Sequence, residues 1–597
     1  MKLKKTILLF LALVMLFSCF TGLVSCKPEG EDGPEDEAHT CVDTNKDGKC
    51  DICGKAMSAK PDDGKDDDDG ESDKPWEKTT LIFQMTNNSL DHELDSGCCR
   101  YMAGEDDTCT ESIDDMVRER NAAAYAWANV EIIYDYLPDK QDTRWGNNIE
   151  TIYNTVMSND PNAPDIYANY ITDMVATSLR GSFANLLSTS RGVGELRGLN
   201  YFQFDDPDYD EAVDSRGYMY EYMTKLTLSK FKMYLVSSDY FTDMVRAYYV
   251  IPVNVKLLNS IVGDIEEDRN GDGVINLDDF YEMVKNREWT YTKLAEYCDK
   301  IYQNAEGNTG ASTIDDEQVG FALSTWSGLP ACGMVYTTSV VVIHREWDDT
   351  RDDYSYYYPE ENQDLYNLCD ALSTLMQTRG VVTVYKAEAY GANSIIAMRQ
   401  RFATDHLLFG GVICVGSLEY DAYQEMKDGV GATDEDLANG NYGFGVVTVP
   451  LYRDNSDDRY LTQIHTLGKG LGISATTTKF AQCTAWLDYQ STHSTEILNE
   501  YYNYKLQYDV AGGTEGNVYM LQYIRSNVRT AFDKSFEDAI SIFFKGVDNQ
   551  IGQSTWAGMI MRSNFQMSNM RDRYKEIYPS KKNYLESLVH EYDKLPD

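Results

Sequence analysis

Basic residues are scarce in this chain of 597 residues: 53 Lys and Arg stand against 97 Asp and Glu, for a formal net charge of −44. So acidic a surface repels nucleic-acid phosphate and anionic lipid headgroups, which excludes a nucleic-acid role; a neutral polar ligand is not penalised. Beyond the N-terminal leader no apolar run is long enough to span a bilayer. The seven histidines are scattered, with no ligand spacing in the body of the chain, and there is neither a G-x-S-x-G elbow nor an H-E-x-x-H pair, so no hydrolase motif stands out. Thirteen cysteines are too few for a disulfide scaffold at this length. Cys98, Cys99 and Cys109 are close enough to bridge, whereas Cys298, Cys332, Cys369, Cys414 and Cys483 lie in apolar surroundings and read as buried thiols. No regular repeat of solenoid type is present.

What is present begins with a leader. Lys2, Lys4 and Lys5 precede the apolar "TILLFLALVMLF", the pattern of a secretory signal over residues 1–25. It ends in "LVSC", which resembles a bacterial lipobox with Cys26 as the lipidated residue; Cys19 in "LFSC" is the weaker rival, and an ordinary cleaved signal is the alternative. The expectation is a body held by a lipid anchor on the extracellular face of a Gram-positive-type membrane. Residues 26–75 are rich in Asp, Glu, Gly, Lys and Pro and cannot bury enough apolar surface to fold, so they read as a disordered tether. Within it, residues 39–54 carry His39, Cys41, Cys50 and Cys53 at H-x-C-x8-C-x2-C spacing, which suits tetrahedral zinc. A calcium loop on Asp43, Asn45 and Asp47 is weakened by Gly54 at its twelfth position, and a metal-free or disulfide-bonded segment stays open.

The folded body starts near Trp76. "TTLIFQM" reads as a strand, the segment from Ser112 as a helix with Ile113, Met116, Val117, Ala124 and Trp127 at helical spacing, and Val130 to Leu137 as the next strand. A helix through "NIETIYNTVMS" and a strand in "PDIYANY" follow. This β-α-β-α-β order predicts an α/β fold with a mainly parallel sheet under helices. "VGFAL", "GFGVVTVPL" and "GLGIS" read as later strands. A Thr-capped helix is expected after the last, with Phe480, Cys483 and Leu487 on one face, and Trp289 and Trp486 read as packing residues.

Several of these stretches, in order, resemble the extracellular solute-binding proteins of ABC importers, in the carbohydrate-binding group that includes the maltose-binding proteins. "DDMVRERNAAAYAWANVEIIYDYL" is similar to that family's first long helix and second strand, and "APDIYANY" to its "PDI" strand. "KMYLVSSDYF" resembles its first interlobe crossing and "YGFGVVTVPL" its second. "REWTYTKLAEYCDKIYQNA" resembles its "WT-x-x-x-L" helix and "RFATDHLLFGGV" its helix-to-strand step. One departure is Asn254-Val255, where the family has Asn-Lys. The resemblance implies a two-lobed periplasmic-binding-protein type II-like fold with an interlobe cleft and hinge crossings. Lobe 1 would comprise 76–236 and 455–505, and lobe 2 would comprise 237–454 and 506–597. It implies a monomer that captures a small ligand, an oligosaccharide before a peptide, for an ABC permease, with no chemistry on it.

A sugar presents CH faces and hydroxyls, so its site wants aromatic platforms and polar partners. With 44 tyrosines the choice must come from position. Trp326 in "STWSG" after a strand, Asp239 and Tyr240 beside the first crossing, Tyr248 and Tyr249 before the next strand, Tyr336, and Trp556 in "QSTWAG" are the ligand-binding candidates. The strip "EWDDTRDDYSYYYPEEN" reads as a solvated loop.

Residues 268–279 match a calcium loop: Asp268, Asn270 and Asp272 at positions one, three and five, the carbonyl of Val274, then Asn276 and the closing Asp279. Sensors and dockerins pair two such loops; the body carries one good copy, so it reads as a structural clip in lobe 2. Two other readings remain open: a secreted carbohydrate-active hydrolase, since 97 acidic residues could contain a catalytic pair, and a cell-surface scaffold or adhesion protein that docks through the calcium loop.

Overall fold

The structure, a computed structural model, describes residues 77–86, 112–137, 147–187, 217–529, 536 and 570–596. Within 217–529 it leaves out 262–267, 270, 272, 304–310, 325–328, 385–393, 455–457 and 466–467. The expectations for the leader, Cys26 and the tether module at His39, Cys41, Cys50 and Cys53 lie outside the described residues.

Two sheets organise the body. In the first, β1 (Thr79–Thr86), β2 (Val130–Leu137) and β3 (Ile166–Tyr170) run parallel in the order β2-β1-β3, and β13 (Lys469–Ile473) closes on β3 antiparallel. Leu81, Phe83 and Met85 are buried while Ile82 and Gln84 are half-buried, the two-residue alternation of a strand whose faces differ in cover. Helix α1 (Ser112–Ala128) supplies Ile113, Val117, Ala124 and Ala128 to this core, and α9 (Phe480–Thr492) lies beside it, its Trp486 ring 5.6 Å from Phe83. Helices α2 (Asn147–Met157) and α3 (Ile171–Ser178) pack together and cover the rest. Asp165 pins the layers: its carboxylate accepts from the Ile82 amide at 3.0 Å, Thr477 Oγ1 at 2.6 Å and Lys479 Nζ at 3.0 Å. α9 is not Thr-capped: Lys479 occupies the cap position with no side-chain cap, and Thr477 Oγ1 accepts from the Lys479 amide at 3.1 Å instead. Phe480, Cys483 and Leu487 do share the buried face.

The second sheet has β5 (Val319–Ser324) parallel to both β8 (Val381–Val384) and β9 (Leu407–Phe409). β4 (Tyr249–Asn254) is antiparallel to β9, to β10 (Ile413–Cys414) and to β11 (Phe444–Val447). Its core is aromatic. Trp289 is fully buried, 4.7 Å from Phe280 and 5.3 Å from Phe409, and its Nε1 donates to the Thr448 carbonyl. Phe280 belongs to α4 (Leu277–Lys285), and Thr290 caps α5 (Tyr291–Ile301) by accepting from the Lys293 amide. Trp289 and Trp486 are thus packing residues, as their helical settings suggested. Cys298, Cys369, Cys414 and Cys483 are free and buried, and burial pushes the Cys298 and Cys483 thiols up, the unreactive direction.

Among the described residues, two of the segments by which the chain passes between the sheets run side by side and antiparallel; a further passage follows the helix Thr495–Glu500. Val236 pairs with Leu471 and Tyr248 with Ile464, and the His465 amide donates to the Ala247 carbonyl. The outbound crossing begins where "KMYLVSSDYF" placed it. The return does not fall at "YGFGVVTVPL": that run forms β11, buried inside the second sheet against β4. A run of apolar residues is needed there to fill a covered strand, whereas the return is tied to the first crossing by pairing at Ile464 and His465.

A second correction concerns the aromatic strip. It is an antiparallel hairpin, β6 (His344–Asp348) with β7 (Asp353–Tyr357), not a solvated loop. Asp353 is 7 % exposed and accepts from Ser229 Oγ at 2.6 Å and the Lys230 amide at 2.9 Å, which ties the hairpin to the segment ahead of the first crossing. The Arg345 guanidinium lies 3.6 Å over the Tyr354 ring and donates to the Thr224 carbonyl. Helix α12 (Met570–Asp593) packs on β7 and on α7 (Gln363–Met376). Tyr592 bonds Thr227 Oγ1 and the Lys232 carbonyl, and Tyr574 bonds the Pro359 carbonyl. Replacing Asp353 with Ala should cost about 1–3 kcal/mol in chemical denaturation, because a buried hydroxyl and a half-buried amide lose their acceptor; an unchanged midpoint would mean the hairpin is not held this way.

Candidate functional site

In both sheets the parallel strands point their C-terminal ends at the crossings. β3 ends at Tyr170, which pairs with Lys469, the first residue after the return, and the Ile171 amide donates to the Gly468 carbonyl. β4 runs opposite to β9, so its first residue, Tyr249, lies beyond the end of β9, where it pairs with Cys414. In open α/β sheets ligands sit outside the carboxyl ends of the strands. The segments after β1, β2, β5 and β8 lie outside the described residues, Trp326 among them, and so does Trp556.

The second sheet carries a small pocket of about 20 Å³, on the scale of a single water. Ser324 at the end of β5, Met398 and Arg399 of α8 (Ser394–Ala403), Gly410, Ser417 and Tyr420 line it. The glycine turn that shapes its wall is obligatory. Gly411 has φ +82°, and a Cβ there would stand 2.2 Å from Met398 Cε and 2.7 Å from the Ala322 carbonyl oxygen. Arg399 places its guanidinium 4.4 Å over the Tyr420 ring, a flat cationic shelf, and Ser324 shares a 2.6 Å hydrogen bond with Ser394. A ring face, a guanidinium and hydroxyls are the groups a sugar site uses. None of the pocket residues was singled out from sequence; Tyr420 is one tyrosine among 44, and Arg399 precedes the "RFATDHLLFGGV" step without any spacing to mark it.

The candidates picked from sequence fall elsewhere. Tyr240 is fully buried in the first lobe, packed on Phe83, Phe241 and Trp486 with Arg120 over its ring, so it is a core residue. Tyr336 on α6 (Leu329–Tyr336) is 1 % exposed, also core. Tyr248 and Tyr249 are buried in the crossing: Tyr249 lies edge-on to His465 at 5.4 Å, and burial pushes the Tyr248 phenol up. Tyr248 and Tyr249, beside the crossing, fill the joint between sheets, and Tyr240 and Tyr336 fill the cores of their lobes. The joint is also bonded. Arg246, nearly sealed from solvent, pairs with Glu419 at 2.9 Å, and Glu419 accepts from Tyr501 at 3.0 Å.

Asp239 sits in the same joint. Its carboxylate accepts from Thr495 Oγ1 of α10 (Thr495–Glu500) at 2.7 Å, and its amide donates to the Gly217 carbonyl. Burial raises the carboxyl's pKa; the Thr495 bond and the Arg525 charge pull it back only in part. A raised folded-state value means folding is favoured while the group is protonated, and stability falls as pH climbs from the unfolded value of about 3.9 through the folded one. Asp239→Asn should therefore melt above the parent at neutral pH and converge on it near about pH 4; a variant less stable at every pH would show that the charge itself holds the joint.

The loop at 268–279 leads into α4. Asp268 accepts from the Gly271 and Gly273 amides at 2.7 and 2.6 Å, and both glycines have positive φ, +77° and +88°. Asn276 caps α4, and Asp279 accepts from the Arg269 and Asn276 amides. Asn270 and Asp272 lie outside the described residues. The described donors are all oxygens, and Asp268 and Asp279, first and twelfth, are oriented by the loop's own amides, a set that fits a calcium ion.

Two sheets with convergent strand ends and two antiparallel crossings make the two-lobed architecture of periplasmic-binding-protein type II folds, as the resemblance implied. No family model matches the chain, and no curated protein does. Solved structures do. The GacH receptor of Streptomyces glaucescens, determined unliganded and with acarbose, is 12% identical over 82% of this chain and 99% of its own, with a TM-score of 0.37. The substrate-binding protein Lmo0181 of Listeria monocytogenes, in complex with cycloalternan, gives 12%, 82%, 99% and 0.39. The galacto-N-biose/lacto-N-biose I-binding protein of Bifidobacterium longum gives 10%, 81%, 97% and 0.43. With TM-scores this low the superpositions are loose, and strand order and register carry the fold.

Proposed function

We propose that this chain is a lipid-anchored extracellular solute-binding protein. It captures an oligosaccharide between two lobes, leaves it unaltered, and hands it to an ABC permease. The observation that carries the reading is the convergence of both sets of strand ends on one pair of crossings, beside a pocket with an arginine-tyrosine shelf. Such a joint suits capture: a ligand shifts the lobes only by contacts made better in one arrangement than another. Trp326, two residues past Ser324 in the sequence, is proposed as a ring platform for the sugar. In a thermal-shift screen across neutral and acidic glycans, one sugar class should stabilise the protein saturably without being hydrolysed. Trp326→Ala should weaken that binding about tenfold or more. Release of smaller sugars would instead favour the hydrolase.

We further infer that residues 268–279 bind calcium as a clip. The bound ion would join Asp268 and Asp279 across the loop and so fix the start of α4, whose Phe280 and Tyr281 are buried in the second lobe. Calcium should raise the melting temperature of the parent and leave Asp268→Ala unmoved, while Asp279→Ala should lose about 1 kcal/mol even without calcium, because it breaks the cap on α4. Equal calcium shifts in parent and Asp268→Ala would remove the clip.

A further inference from the structure

Helix α12 and the hairpin β6–β7 lie along one another and form a single arm. Near the start of the helix, Tyr574 donates to the Pro359 carbonyl just past β7; at its end, Asp593 pairs with Arg351 in the hairpin turn at 3.3 Å. The helix has 24 residues, a span of about 36 Å. A lone two-stranded hairpin is marginal by itself, so the helix stiffens the arm.

The arm has its root on the second lobe and its tip on the first. At the root, the Tyr574 ring lies edge-on to Tyr366 of α7 at 5.7 Å, Arg571 donates to Gln363, and Lys575 pairs with Glu361 at 3.2 Å. At the tip, Asp353 takes the Ser229 and Lys230 donors, Tyr592 bonds Thr227 Oγ1, and the Tyr592 ring lies edge-on to Tyr234 at 5.5 Å. Lys232 Nζ donates to the Asp593 and Leu595 carbonyls at 2.9 and 2.5 Å, and Tyr234 Oη to the Pro596 carbonyl at 2.9 Å. The gripped segment belongs to the first lobe: Asn185 Nδ2 donates to the Phe231 carbonyl, Asn185 Oδ1 accepts from the Met233 amide, and the Leu186 amide donates to the Met233 carbonyl. Any displacement of one lobe against the other therefore loads the arm.

The tip is the firmer end. Its bonds include buried ones, and breaking such a bond leaves a desolvated group without a partner. The ion pair and the Arg571 bond at the root are exposed, where such contacts contribute little. Between root and tip the helix also carries its own break. Pro579 lies in the helix interior on the exposed side. Proline has no amide hydrogen, so the Lys575 carbonyl one turn earlier receives no helical bond from it, and helices bend at such positions. The packing face continues across the break, with Tyr574, Ile577 and Tyr578 before it and Leu585, Leu588 and Tyr592 after it. Only the backbone ladder is interrupted.

We propose that the hairpin and α12 are a strap between the lobes and that Pro579 is its hinge. When the lobes move, the tip stays bonded to the first lobe and the helix bends at the proline, which keeps the motion small in amplitude. The strap's part in capture rests on the solute-binding reading above; the strap itself needs no ligand.

The test is native-state hydrogen exchange of the full chain without ligand, in the parent and in Pro579→Ala. In the parent, amides of residues 576–578 and 580–583 should exchange faster than the tip amides of Lys230, Phe231 and Met233. Pro579→Ala, which restores the missing donor, should slow exchange by about tenfold or more beside residue 579 and also at the crossing amides of Val236, His465 and Leu471, since the lobes part less often. Its melting temperature should stay level or rise. Slowing confined to residues 576–583 would make the proline a local break and end the proposal. Tip amides exchanging as fast as those beside the proline would place the release at the tip and overturn it as well. No ligand is present, so either failure leaves the solute-binding reading standing, and that reading falls only with the glycan screen.

Discussion

Everything in this molecule hangs on two strands of backbone lying side by side. The pairs Val236–Leu471 and Tyr248–Ile464, with the His465 amide on the Ala247 carbonyl, bring the two crossings into register. Because these segments carry the chain from the end of one sheet to the start of the other, their register decides which strand ends face each other. Tyr170 and Lys469 are adjacent on one side for this reason, and Tyr249 and Cys414 on the other. The side chains around the crossings are buried, and the Arg246–Glu419–Tyr501 chain links the first crossing to the second lobe. Buried charge of that kind specifies an arrangement more than it stabilises one.

The hairpin β6–β7 and helix α12 add a bracket to that joint. The hairpin arises between α6 and α7 of the second lobe, yet Asp353 bonds Ser229 and Lys230 ahead of the first crossing. Helix α12 touches Pro359 near α7 through Tyr574 and the 227–232 segment through Tyr592. The hairpin and helix thus link the 227–232 segment to the second lobe at a place besides the crossings. Any rearrangement on binding must either flex the segment from Thr227 to Val236 or stay small in amplitude.

The elements with strong local signals were legible in the sequence. β2 occupies the predicted Val130–Leu137, and α1, α2, β3 and β5 fall within a residue or two of expectation, because each is an uninterrupted periodic run with an apolar face. What failed was decided at long range. The hairpin looked solvated because its residues are acidic and aromatic in alternation, and the partner that buries Asp353 lies 124 residues earlier. The return crossing was misplaced because β11 is apolar, as a covered strand must be, while the described residues of the true crossing, Ile464, His465 and Gly468, carry no propensity signal. The candidate tyrosines failed for a related reason. Sequence position put them near the joint, but only packing decides whether a ring fills a joint or faces a cleft. Lys469 and Arg399 carry no motif at all; only the structure sets each over a tyrosine ring, Tyr170 and Tyr420.

The central claim is that one small guest touches both lobes at once, at the strand ends flanking the crossings. Hydrogen exchange of the full chain, with and without a saturating oligosaccharide, tests it directly. The account expects slowed exchange in the amides of residues 170–171 and 468–469 and, with the same ligand, in those of 410–420. Protection confined to one lobe, or to surfaces away from both edges, would contradict it.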